Sequence, residues 1–190
     1  MVKGLYQRLR EAWKKPEKKT LRERMVQWRK SEVLTKVEKP LRLDRARALG
    51  YKAKKGFVMI RIRVKRGGHK RPRPNKGRRS KRLHARKTLK MSYKWIAEQR
   101  VEKKYKNLVV LNSYVIGKDG INYFYEVICI DPSKQEIKKD KKLNWVCKKQ
   151  NQKRTMRGLT SAAKKSRGLG NKNPTQKTRP SVRAGKRRGK

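Results

Sequence analysis

Phe57-Val58-Met59-Ile60-Arg61-Ile62-Arg63-Val64-Lys65 carries the two-residue alternation of a β-strand. Val58, Ile60, Ile62 and Val64 make an aliphatic face, and the opposite face, opening on Phe57 and Met59, turns cationic toward Lys65. Gly67-Gly68 breaks the run. Farther along, Leu108–Ile116 and Ile121–Ile130 are two β-rich runs separated by Gly117-Lys118-Asp119-Gly120, which predicts a hairpin. This hairpin window, joined to the strand at 57–65, is where the folded core is expected.

Helical signals surround these strands. Leu5, Leu9, Ala12 and Trp13 recur at helical spacing until Pro16 stops them. Thr20 followed by Glu23 reads as a capping box opening a second helix striped by Leu21, Met25 and Trp28. A short helix is expected after Asp44, with Gly50 as its stop. Ser92 is placed to cap a helix carrying Ile96, Ala97, Val101 and Tyr105. Asp131-Pro132 reads as an N-cap and first-position proline before a short turn or helix, and Leu159 to Lys165 as a small helical piece. His69 to Lys90 has almost nothing apolar to bury and contains Pro72, Pro74 and Gly77, so it should lie extended. The tail from Gly168 should be unstructured in isolation, and no internal repeat is found.

Charge is distributed very unevenly. All thirteen acidic residues fall within 1–44 and 98–140, whereas 45–97 holds 21 Lys or Arg with no acid and 141–190 holds 18 with none. The formal net charge is +48 on 190 residues, with 39% charged and only 34% hydrophobic. A core is affordable for part of the chain, not for all of it. Two stretches cannot neutralise themselves, which points to a densely charged polyanion as partner.

Cys129 and Cys147 are too few for a disulfide framework, and Cys129 lies in an apolar run that predicts a buried thiol. No apolar stretch approaches the 18 or so residues of a membrane span, and the N-terminus has no signal-like apolar region, so a reducing intracellular compartment is expected.

The tract from Arg61 through Arg66 to Pro74 combines arginine forks, which match phosphate oxygens two at a time, with glycines that let backbone N–H groups approach closely. A solvated basic surface is its bland alternative, disfavoured by 53 consecutive positions without an acid. A second tract, Lys148 to Gly168, interleaves bases with small residues; a nuclear-localisation signal is a compatible reading of it. Trp13, Trp28, Trp95 and Trp145 could stack on unpaired bases, but their places on apolar stripes favour core packing. His69 and His84 pair with no cysteine at metal-ligand spacing, and no cofactor loop or acid–base constellation is found.

Leu49 through Val58 and Arg66-Gly67-Gly68-His69-Lys70-Arg71-Pro72 resemble the archaeal and eukaryotic large-subunit ribosomal protein family called fifteen-e. Leu108–Tyr114, Tyr123–Ile128, Met156–Ala162 and Lys165–Gly170 match it too, in the family's order, so that the resemblance covers roughly residues 1–170. It implies an α+β fold: a small, mainly antiparallel sheet packed with helices, plus long basic extensions lacking regular structure. It also implies a structural, non-enzymatic constituent of the cytoplasmic ribosome. Its partners would be large-subunit rRNA and neighbouring large-subunit proteins, with no cofactor, metal, membrane or small-molecule substrate.

On that reading the chain divides into an N-terminal helical segment (1–50), a core strand (51–66), an extended RNA-binding loop (67–91), a helix and β-hairpin core (92–147) and a basic C-terminal extension (148–190). In the first acid-free stretch rRNA contacts are expected at Lys52, Lys54, Lys55, Arg61, Arg63, Lys65, Arg66, Lys70, Arg71, Arg73, Lys76, Arg78, Arg79, Lys81 and Arg82. In the second they are expected at Lys153, Arg154, Arg157, Lys164, Lys165 and Arg167. The rivals are a chromatin-compacting DNA binder, which shares the charge, and an RNA-modifying enzyme, which would need an acid–base pair or cofactor loop.

Overall fold

The computed structural model describes residues 3–70, 75–77, 86–87, 89 and 91–169. Strand β2 (Phe57–Lys65) has the bounds its alternation predicts. It pairs antiparallel with β6 (Asn122–Ile130), which pairs antiparallel with β5 (Val109–Lys118). A four-residue strand, β1 (Leu34–Val37), completes the order β1-β2-β6-β5. The sequence reading missed β1, because Leu34-Thr35-Lys36-Val37 is too short to announce itself and is recruited by the free edge of β2.

Helices cover both faces of this sheet. Helix α4 (Tyr93–Lys104) buries Ala97 and Val101 against Ile60, Ile62, Val64, Val110 and Val127. Its N-cap is Ser92, whose Oγ accepts from the Trp95 N–H at 3.3 Å. On the opposite face α2 (Lys18–Lys30) and α3 (Leu43–Ala48) lay Trp28 and Ala46 over Met59, Tyr114, Phe124 and Ile128. Strand β6 is therefore interior on both sides, and its residues from Phe124 onward are all buried. Helix α1 (Leu5–Lys14) lies against α3. Helix α5 (Gln135–Lys138) closes one end by packing Ile137 with Val109, Ile130, Leu143 and Val146. The architecture is α+β, and every strand pairing described is antiparallel.

Several local expectations change. Helix α2 begins a turn earlier than the Thr20–Glu23 box would have it: Glu17 stands at the N-cap and Thr20 Oγ1 donates to Glu17 Oε2 at 2.6 Å. The hairpin turn moves to Asp119-Gly120-Ile121. Irregularities between Val110 and Asn112 and between Val115 and Gly117 carry β5 onward to Lys118, and Asp119 Oδ1 accepts the Ile121 N–H at 2.8 Å. Asp131 does not cap α5, whose N-cap is Lys134. Its Oδ1 instead accepts the Ser133 N–H and hydroxyl at 2.9 and 2.6 Å, a local turn that the following proline favours. Gly50, with φ +99°, ends α3 as expected: Gly50 N–H reaches Arg47 O and Tyr51 N–H reaches Ala46 O.

Within the stretch expected to lie extended, β3 (His69–Lys70) pairs with β4 (Arg86–Lys87). A backbone ladder needs no apolar side chain, which is why composition alone did not reveal it. The second basic tract also does more than extend. After 3-10 turns at Asn144–Cys147 and Lys149–Asn151, the chain buries Thr155, Thr160, Ala162 and Ala163 against α4, ending in α6 (Ser161–Ser166). The expected helical piece at 159–165 is thus present, capped by Thr160, whose Oγ1 accepts the Ala163 N–H at 3.3 Å. Cys129 is buried and, like Cys147, is a free thiol.

Candidate nucleic-acid interface

Three acids of the 98–140 window, Glu98, Glu102 and Glu126, face inward, and the first two fasten the second basic tract to α4. Glu98, on α4, is fully buried and accepts the Thr160 hydroxyl at 2.6 Å as well as the Ser113 hydroxyl. One turn on, Glu102 accepts the Thr155 hydroxyl and the Met156 N–H at 3.3 Å. Trp95 adds a donor, its indole N–H reaching Thr155 O at 2.7 Å. On the other face Glu126 accepts the Tyr114 hydroxyl and the Leu41 N–H at 3.1 Å. Burial pushes the carboxyls of Glu98 and Glu126 above the usual range, against the pull of the hydroxyls they accept. None of these roles was foreseen; the available signals were two Glu one turn apart on α4 and a single Glu within the apolar run of β6.

The expected contact residues then separate by environment. Asp140 accepts from Lys52 at 2.9 Å and Lys54 at 2.6 Å, which holds its carboxyl far below the usual range. Lys55 is exposed beside them. Arg61 is half-buried, its guanidinium 5.6 Å from the Trp28 ring centre; burial lowers its pKa while nearby Glu126 resists. Arg63 donates to Arg29 O. Arg66 donates to Asp119 O at 2.8 Å and lies 5.2 Å over the Tyr123 ring. The guanidiniums of Arg63 and Arg66 thus brace α2 and the hairpin turn, and that of Arg61 lies over Trp28, so each has an internal role.

Lys65 and Lys76 are exposed, the latter with φ +58° beside Gly77. Lys70 is described only as backbone in β3. Arg71, Arg73, Arg78, Arg79, Lys81 and Arg82 lie outside the described residues, as do His84 and the tail from 170.

In the second tract Arg154 is partly buried, 4.7 Å over Trp145 and donating to Val110 O at 3.4 Å. Burial lowers its pKa, and Glu98 and Glu102 oppose that. Arg157 donates to Gln150 O and Arg167 to Gly158 O at 2.8 Å. Lys153, Lys164 and Lys165 are exposed. Trp28 and Trp95 sit in the core, while Trp13 and Trp145 lie half-buried beneath Arg42 and Arg154. The fold therefore anchors its basic segments by hydroxyls, backbone groups and arginine guanidiniums, and leaves the side chains of Lys65, Lys76, Lys153, Lys164 and Lys165 exposed.

The family model described as Ribosomal L15 matches residues 4–185. This chain belongs to the ribosomal L15e family. As a large-subunit ribosomal protein it is a structural constituent of the ribosome and a component of translation, and rRNA binding is typical of the family. Membership explains why a core this small carries so much uncompensated charge. Among the described residues no helix is long and apolar enough to cross a membrane, and no three His, Cys, Asp or Glu come together as a metal site.

Proposed function

We propose that this chain binds large-subunit rRNA through phosphate and sugar contacts made by its two acid-free stretches, without catalysing a reaction, in cytoplasmic ribosomes. One observation carries this. Lys65, Lys76, Lys153, Lys164 and Lys165 are exposed and make no ion pair among the described residues, while Glu98, Glu102 and Glu126 are turned inward. Cations held on a folded frame and left unneutralised release the counterions condensed on RNA when they dock. Contacts of this kind read RNA shape more than base sequence. The Arg and Lys side chains of the 67–91 loop, Lys52, Lys54 and Lys55, and the arginines at 61, 63, 66, 154, 157 and 167 belong to the same surface on this reading. Arginine serves it doubly, since a guanidinium that bonds a carbonyl on one edge keeps donors for phosphate on the other.

The test is a salt titration of binding to large-subunit rRNA, with duplex DNA as competitor. Lys65→Gln, Lys153→Gln and Lys164→Gln together should weaken binding and reduce the slope of log K against log salt by about 2, at about 0.7 per single-strand phosphate. An unchanged slope, or duplex DNA competing as well as rRNA, would overturn the proposal.

A further inference from the structure

We infer that the folded core carries a separate phosphate site for rRNA, a cationic cleft beside the free edge of β5, outside both acid-free tracts' expected contacts. The inference rests on the rRNA-binding reading above and adds a site to it. The cleft encloses about 750 Å³, comparable with sites that hold a nucleotide-sized ligand. Its walls bring together Arg10 and Lys14 of α1, Arg42 and Arg45 at α3, and Lys94 of α4. Against these five cations stands one lining carboxylate, Asp44, which is 4% exposed and lies 3.8 Å from Arg42. Arg10, Lys14, Arg45 and Lys94 make no ion pair among the described residues.

Like charges gathered from three helices repel one another, and the repulsion is strongest where water is partly excluded. Lys94 registers this: burial lowers its pKa, Glu98 raises it, and Arg45 and Lys165 push it down again. Lys165 is one of the expected contacts of the second tract, so the cleft continues the positive surface already assigned to RNA. Guanidinium forks and ammonium groups together suit the ionised oxygens of successive phosphodiesters. Val115, 44% exposed, and Tyr123 supply an apolar floor against which a ribose can rest. The five cations lie at 10, 14, 42, 45 and 94, too scattered in sequence to form a tract; only the meeting of α1, α3 and α4 at the sheet edge collects them.

Two experiments test the site. With a photo-crosslinking phenylalanine analogue at Val115, the full chain in purified large subunits should crosslink to rRNA. A crosslink to protein alone, or none, overturns the cleft as an RNA site, and absence of the chain from large subunits overturns the broader reading as well. In the second, Ala48→Glu places a carboxylate at an exposed α3 position lining the cleft. This variant should bind rRNA several-fold more weakly with a salt slope lower by about 1, while circular dichroism remains that of the parent. Parental affinity and slope would sink the cleft while leaving the lysine-substitution result, and the broader proposal, standing.

Discussion

Glu98 lies fully inside a protein of net charge +48 yet makes no ion pair among the described residues; it is held by two hydroxyls, those of Ser113 and Thr160. Burial raises its pKa, so the folded chain holds this proton more tightly than the unfolded chain does. Its contribution to stability is therefore greatest below the ordinary glutamate value near 4.5 and declines as pH rises through the raised folded value. Glu98→Gln removes that titration, so variant stability relative to the parent should climb as pH rises from the ordinary glutamate value through the raised folded value in thermal melts. Parallel curves would mean that Glu98 does not titrate in that range. Glu98→Ala strands both hydroxyls and should cost about 2–4 kcal/mol in denaturant unfolding.

At the scale of elements, α4 is the platform to which the second basic tract is fastened. Trp95, Glu98 and Glu102 recur along one side of it and receive Thr155, Met156 and Thr160. Thr160 serves twice, donating to Glu98 at 2.6 Å and capping α6. Thr160→Val keeps the shape and loses both bonds, at a cost of about 1–2 kcal/mol. Hydrogen exchange should accelerate at the amides of 163–167 and stay unchanged in β2 and β6. Equal acceleration in the sheet would show that the tract and sheet open together. The helix carrying these groups was readable from Ser92 and its apolar spacing. Its second, polar side was not, because a buried Glu and a solvated Glu look alike until the partner arrives from some 60 residues away.

Over the whole molecule, unbalanced charge opposes compaction until something screens or neutralises it. The screening length shrinks from about 10 Å at 0.1 M salt to about 3 Å at 1 M. The melting temperature of the free chain should accordingly rise over that range, the reverse of what surface ion pairs alone would produce. A flat or falling melting temperature would show that Lys52, Lys54 and Asp140, together with the other surface pairs, outweigh the repulsion. The cleft at the β5 edge belongs to this scale too, since it exists only where three helices meet.

The alternation from Phe57 to Lys65, the hairpin runs, the stripes of α1 and α4, and the two acid-free stretches are all properties of neighbouring residues, so the amino-acid order alone settled them. Local period dictates which face a side chain takes, and local composition dictates where charge accumulates. Strand β1, the inward Glu98, Glu102 and Glu126, the docking of 148–169 onto α4 and the gathering of Arg10, Arg45 and Lys94 depended on tertiary packing. Each joins residues distant along the chain, and the free energy that joins them is that of burial and of satisfying buried polar groups, which no local pattern records.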